Sequence, residues 1–114
     1  MTSFSDAVRQ YIQMGMTIIG YGAPTKAVLL LKLAGIGIKE IKFIVEDNIH
    51  KVGRYLPSTG IEIRSSDGLN AECFDVIAIF AWNFSNEILE KIRSAVSRPV
   101  KVIIPLPDLE VIDL

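Results

Sequence analysis

An α/β fold built on an open, mostly parallel sheet follows from three features of this chain. Apolar runs of strand length alternate with segments of helical period. The run at 16–20 reads as a buried strand, and that at 75–82 is apolar without alternation, as suits a parallel strand covered on both faces. The first of them passes through a glycine turn straight into a leucine-rich helical segment. Together they predict a three-layer, Rossmann-like sheet of about five strands in the order 3-2-1-4-5, with helices on both faces.

The elements follow in order. Ser3 to Gln13 carries Phe4, Val8, Tyr11 and Ile12 at i, i+4, i+7 and i+8, an amphipathic helix with Ser3 or Ser5 as N-cap and Gly15 as its stop. Met16 to Gly20 is a buried strand, and Thr25 to Ala34 a helix with Pro24 at its start and Gly35 just past its end. Ile41 to Val45 is the next strand, which completes a strand–helix–strand crossover. Asn48 to Gly60 is polar and broken by Gly53, Pro57 and Gly60, so an exposed loop is expected. Ile61 to Arg64 alternates as a short, edge-type strand, and Ser65 to Glu72 has room for one helical turn. Asp75 to Trp82 is the most apolar strand. Ser85 to Ser97 is a helix with Ile88, Leu89, Ile92, Ala95 and Val96 on its buried stripe and Pro99 blocking its continuation. Val100 to Ile104 is a further strand, and Leu109 to Ile112 has the pattern of a short last one.

At 114 residues the chain fits a single domain, 1–114, able to bury one core. It is 50% hydrophobic and 22% charged with a mean hydropathy of +0.39, far from the composition of disorder. No apolar run approaches the ~20 residues that span a bilayer, and the first residues have neither a basic nor an apolar leader segment, so a cytoplasmic location is expected. The single cysteine, Cys73, leaves no intrachain disulfide and no cysteine-based zinc cluster, which agrees with a reducing compartment. Lys and Arg number 12 against 13 Asp and Glu, a net charge of −1, so there is no electrostatic footprint for nucleic acid.

Ligands of open α/β sheets bind beyond the carboxyl ends of the strands, where the connections reverse direction. The expected order brings three loops to that crevice: Tyr21 to Lys26, Glu46 to Lys51, and Trp82 to Ser85. Gly20 and Gly22 permit a close backbone approach, and the helix that opens after Pro24 directs N–H groups and partial positive charge at one spot, which suits an anion. The same glycines fit a second reading, tight strand-to-helix packing with no ligand. The turn lacks the third glycine of the dinucleotide fingerprint, where Thr25 stands, and its spacing is not that of a P-loop. No acidic residue precedes it as in S-adenosylmethionine sites. Lys26, a cation in a first helical turn, is either a phosphate partner or a solvated side chain. Glu46 and Asp47 end the second strand where a carboxylate meets a ribose hydroxyl in dinucleotide folds, and either could instead cap its own turn. Trp82 and Asn83 offer an aromatic face and an amide edge to a flat group, or a plug and a cap. His50, Lys51 and Arg54 could add cationic contacts. No nucleophile–base pair, second histidine or metal-ligand cluster is present.

Read together, GYGAPTKAVLLLKLAGI, FIVEDNIHKVGRYLP, IAIFAWNFSNEIL and VIIPLP resemble the C-terminal domain of the S-adenosylmethionine-dependent sugar C-methyltransferases, which modify deoxysugars carried on nucleotide diphosphates. Gly20, Gly22, Ala23 and Lys26 meet a G-x-G-A-x-x-K pattern, and Glu46, Asp47 and Asn48 an acidic-Asp-Asn segment followed by Lys51 and Gly53. Trp82, Asn83, Glu87 and Ile88 meet W-N-x-x-x-E-I. The chain departs from the family pattern at Glu46 and Ile49, where Asp and Pro are usual, and at Ser58, where Gly is usual. Family members also carry an N-terminal zinc domain and a central methyl-donor domain, and neither lies within these residues.

The resemblance implies a non-catalytic domain forming one wall of a nucleotide-diphosphate sugar site. The expected site is Gly20, Tyr21, Gly22, Ala23, Pro24, Thr25, Lys26, Glu46, Asp47, Asn48, Lys51, Trp82 and Asn83, with no metal and no cofactor of its own. S-adenosylmethionine is then bound by a partner domain or chain. Two alternatives stand beside it: a small NAD(P)- or nucleotide-binding enzyme using Glu46 or Asp47 on a ribose, and a docking or homodimerisation module with an empty crevice.

Overall fold

The computed structural model describes residues 2–71 and 73–114. Its elements are α1 (Thr2–Gln13), β1 (Ile18–Tyr21), α2 (Thr25–Ala34), β2 (Ile41–Glu46), β3 (Ile63–Ser65), β4 (Val76–Ile79), α3 (Ser85–Ala95), β5 (Lys101–Ile104) and β6 (Glu110–Asp113). They form one six-stranded sheet in the order β3-β2-β1-β4-β5-β6. Five strands run parallel, as expected, and β6 closes the far edge antiparallel to β5.

Alternate side chains of the central strands feed two cores. On one face Ile18, Ile44, Ala78 and Ile103 pack with Phe4 and Val8 of α1 and Ala27, Leu30 and Leu31 of α2. On the other, Ile19, Phe43, Ile77 and Val102 pack with Ile88, Leu89 and Ile92 of α3. Each large side chain so buried is worth roughly 1.5–3 kcal/mol of transfer free energy, and the central strands supply most of them because both of their faces are covered. β1 and β4 are buried at every position. α2 is apolar beyond its buried stripe, and Leu29 and Leu33 lie exposed on its outer side. Among the described residues, no helix is long and apolar enough to cross a membrane.

Several boundaries differ from the sequence reading. α1 starts at Thr2, so neither Ser3 nor Ser5 is its N-cap; Ser5 Oγ instead accepts from Arg9 Nε at 3.2 Å. Ile12, expected on its buried stripe, is exposed. The strand expected over 75–82 ends at Ile79, because the Phe80 and Ala81 N–H groups both turn onto the Tyr21 carbonyl, at 2.9 and 3.3 Å, and curl the chain over the end of β1. Trp82–Phe84 is then a 3₁₀ turn. The loop expected to be exposed over 48–60 is not wholly so. Leu56 is buried, because Arg54 to Leu56 folds back antiparallel to Ile61 to Ile63 through Leu56 N–H to Ile61 O and Ile63 N–H to Arg54 O. That pairing delays β3 to Ile63–Ser65. The helical turn expected at 65–72 is a 3₁₀ segment over Ser66–Ala71, with Glu72 outside the described residues. α3 ends at Ala95, which is exposed, and Val96 is buried beyond it.

The β1–α2 turn depends on glycine for packing. A Cβ at Gly20 would lie 2.4 Å from the Phe80 ring, and one at Gly22, whose φ is +91°, would lie 2.6 Å from the Ala81 Cβ. β1 and the chain leaving β4 therefore approach more closely here than side chains allow. Ser58 presents the opposite case: its φ of 65° is left-handed, the region that favours the glycine of the family pattern.

These two sites give opposite expectations in chemical denaturation. Gly22→Ala combines a backbone clash with an unfavourable φ and is expected to destabilise by roughly 2–4 kcal/mol. Ser58→Gly is expected to be neutral to stabilising by up to about 1 kcal/mol, since relief of left-handed strain outweighs the added unfolded-state entropy. A Gly22→Ala variant as stable as wild type would refute the close-approach account.

Candidate functional site

β1 ends between β2 and β4, with Tyr21 opposite Val45 on one side and Ile79 on the other. Beyond these ends lies a cavity of about 430 Å³. Tyr21, Gly22, Ala23 and Pro24 line it from the first expected loop, and Glu46, Asp47, Asn48 and Lys51 from the second. The third expected loop, Trp82 to Ser85, reaches the cavity through Phe84 rather than through Trp82 and Asn83. Trp82, Asn83, Thr25 and Lys26 do not line the cavity, and Gly20 sits inside β1 against Phe80. Trp82 is half-buried in the 3₁₀ turn, packed against both cores. In its place stand Ala81, Phe84, Glu87, Ile88 and Lys91. Phe84, 62% exposed, offers the free aromatic face. The sequence signal for them was the helical spacing of Phe84, Glu87, Ile88 and Lys91 at i, i+3, i+4 and i+7, one face of the start of α3.

The anion-binding geometry foreseen at the glycine turn exists, but the chain supplies the anion. Glu46 Oε1 accepts from the Ala23 N–H at 3.0 Å and Oε2 from the Asn48 N–H at 2.8 Å. The Gly22 N–H is bonded to Val45 O at 2.8 Å. Pro24, the N-cap of α2, brings no side-chain cap, so a carboxylate beside the turn also meets the positive end of the helix. Lys51 Nζ donates to the Ala23 carbonyl at 3.1 Å and ties the second loop to the first.

Asp47 is the hub of a second network. Its Oδ1 accepts from Tyr21 Oη at 2.8 Å and from Ser66 Oγ at 2.5 Å, and its Oδ2 from Lys91 Nζ at 2.7 Å. Burial, reinforced by the bond to Asp47, pushes the Tyr21 hydroxyl far above the ordinary phenol range, so it remains a donor. Burial alone would raise the Asp47 carboxyl, yet the hydrogen bonds from Lys91, Ser66 and Tyr21 outweigh it and hold the group below the ordinary aspartate range. Glu87, in contrast, has no hydrogen bond or ion pair among the described residues, although Lys91 stands at i+4 where the two could pair. Among the described residues no group of three His, Cys, Asp or Glu side chains could hold a metal ion.

The Asp47 network predicts a pH signature. Its folded-state value is depressed, so the bonded carboxylate adds stability above the unfolded value of about 3.9 and that contribution disappears as pH falls through the folded value. Both partners of the Lys91 bridge are partly solvated, which limits its worth. Asp47→Asn is expected to lower stability by on the order of 1 kcal/mol at neutral pH, with the gap from wild type closing below about pH 4. A gap of constant size across that range in urea unfolding would contradict the assignment.

Comparison with known proteins shows the family of the chain. Residues 2–107 match the C-methyltransferase C-terminal domain family. The C-methyltransferase NovU of Streptomyces niveus is 34% identical over 107 residues, an alignment covering 94% of this chain and 26% of that protein. The chain thus spans about a quarter of the relative's length. With the four sequence blocks lying along one doubly wound sheet and the match extending over nearly its whole length, the chain belongs to the C-methyltransferase C-terminal domain family.

Proposed function

We propose that this domain holds the nucleotide-diphosphate sugar substrate of an S-adenosylmethionine-dependent sugar C-methyltransferase, while the methyl donor and the reacting groups belong to another domain or chain. The observation that carries this reading is the cavity beyond β1 and β2, in which Lys51 and Lys91 both stand. Each ammonium has three donors and each has one protein partner at its Nζ, which leaves donors for phosphate oxygens. The exposed Phe84 ring provides a face on which a base or sugar can rest.

The strand-end carboxylates are not arranged as the methyl donor or NAD would use them at this position. Both cofactors carry a ribose diol that a carboxylate at the end of the second strand would take. Here Glu46 and Asp47 are instead turned onto the chain's own donors, Glu46 accepting two bonds and Asp47 three. The chain's part is therefore binding and orientation, and no bond-making step is assigned to it. The phosphates are assigned to Lys51 and Lys91 rather than to the β1–α2 turn and Lys26, because the Glu46 carboxylate already holds the Ala23 N–H.

Isothermal titration with several nucleotide-diphosphate sugars tests the reading. Binding is expected at concentrations up to about a millimolar. Lys51→Ala should weaken it roughly tenfold, the scale of one charge-assisted hydrogen bond, and Lys26→Ala by less than about twofold. No heat from any of these ligands, or the reverse ranking of the two lysines, would refute it.

A further inference from the structure

We infer that Glu87 is the residue of this cavity that reads the hydroxyl groups of a sugar. The inference rests on the nucleotide-sugar reading above and adds a recognition element to it. Lysines supply donors only, so they can hold phosphate oxygens but cannot accept from a hydroxyl. A polyhydroxylated ligand needs acceptors, and most of those that line this cavity are taken. The Glu46 oxygens hold two backbone N–H groups, and the Asp47 oxygens hold Tyr21, Ser66 and Lys91. Asn48 Oδ1 accepts from the His50 N–H at 3.0 Å, and the Ala23 carbonyl from Lys51. Glu87 alone among the lining carboxylates has both oxygens uncommitted among the described residues.

The fold keeps it so. A glutamate four residues before a lysine on a helix ordinarily pairs with it, but Asp47 captures Lys91 at 2.7 Å and leaves Glu87 unpaired. Phe84, just before α3, and Lys91 within it line the same cavity as Glu87, so a ligand that meets the ring and the ammonium also meets this carboxylate. Two oxygens of one carboxylate can accept from two neighbouring hydroxyls, a pattern that a phosphate, a base or a 2′-deoxyribose does not offer. The competing role, a first-turn acid that favours the α3 dipole, concerns stability and not ligand choice.

The test compares wild type with Glu87→Gln, by titration with 2′-deoxynucleotides, thymidine and deoxyuridine diphosphates, and with the glucose conjugate of each, alongside thermal unfolding without ligand. Wild type is expected to bind a glucose conjugate more tightly than the matching diphosphate. Glu87→Gln should remove most of that advantage, about tenfold in affinity for the conjugate, while binding of the diphosphates changes by less than about twofold. Equal weakening of both ligand types, no weakening of either, or a wild type that gains nothing from the sugar would overturn the role of Glu87 and leave the nucleotide reading standing. A wild type that binds neither ligand type would overturn both. A purely structural role predicts a lower unfolding temperature with the sugar-dependent difference intact.

Discussion

The carboxylate of Glu46, held between the Ala23 and Asn48 N–H groups, is the interaction on which the rest of the site depends. It sits where a doubly wound fold ordinarily receives an external anion, at a glycine turn beside a helix start. By occupying that place it joins the β1–α2 turn to the loop after β2, and Lys51 completes the join from the other side through the Ala23 carbonyl. The consequence for recognition is direct: the Gly22 and Ala23 N–H groups of the glycine turn have internal partners, which leaves the side chains of the cavity to read an incoming ligand. Those side chains come from the β2 loop and the start of α3.

The second join lies across the same cavity. Asp47 gathers Tyr21 from β1, Ser66 from the 3₁₀ segment and Lys91 from α3, and so ties three elements together at this end of the sheet. Because Asp47 takes Lys91, Glu87 stays free, and because Phe80 and Ala81 curl onto the Tyr21 carbonyl, Phe84 is carried to the rim while Trp82 is drawn in between the cores. The family's W-N-x-x-x-E block therefore divides its work: the indole serves packing and the glutamate faces the cavity.

Much of this fold is legible in the residues, for identifiable reasons. Strands buried on both faces must be continuously apolar, so β1 and β4 announce themselves, and the spacing of glycines and prolines marks the ends of α2. What escapes local pattern is long-range hydrogen bonding. Nothing near Trp82 states that the preceding two N–H groups will seek the end of another strand, and nothing in the polar 48–60 loop states that Leu56 will be pinned against Ile61. The loops after β1 and β2 meet at one cavity because the strand order brings them together. In the third loop, Trp82 to Ser85, it is Phe84 and not the indole that lines the cavity, and Glu87 and Lys91 of α3 join it there. The identity of the anion at the turn was likewise beyond reach, since Glu46 reads equally as a ligand for ribose and as a partner for its own backbone.

A crystal structure of this domain with a nucleotide-diphosphate sugar bound would test the central claim most directly. The account predicts phosphate oxygens within hydrogen-bond distance of Lys51 or Lys91 and the Glu46 carboxylate still bonded to the Ala23 and Asn48 N–H groups. A phosphate seated on those two amides, with Glu46 swung out of the turn, would contradict it.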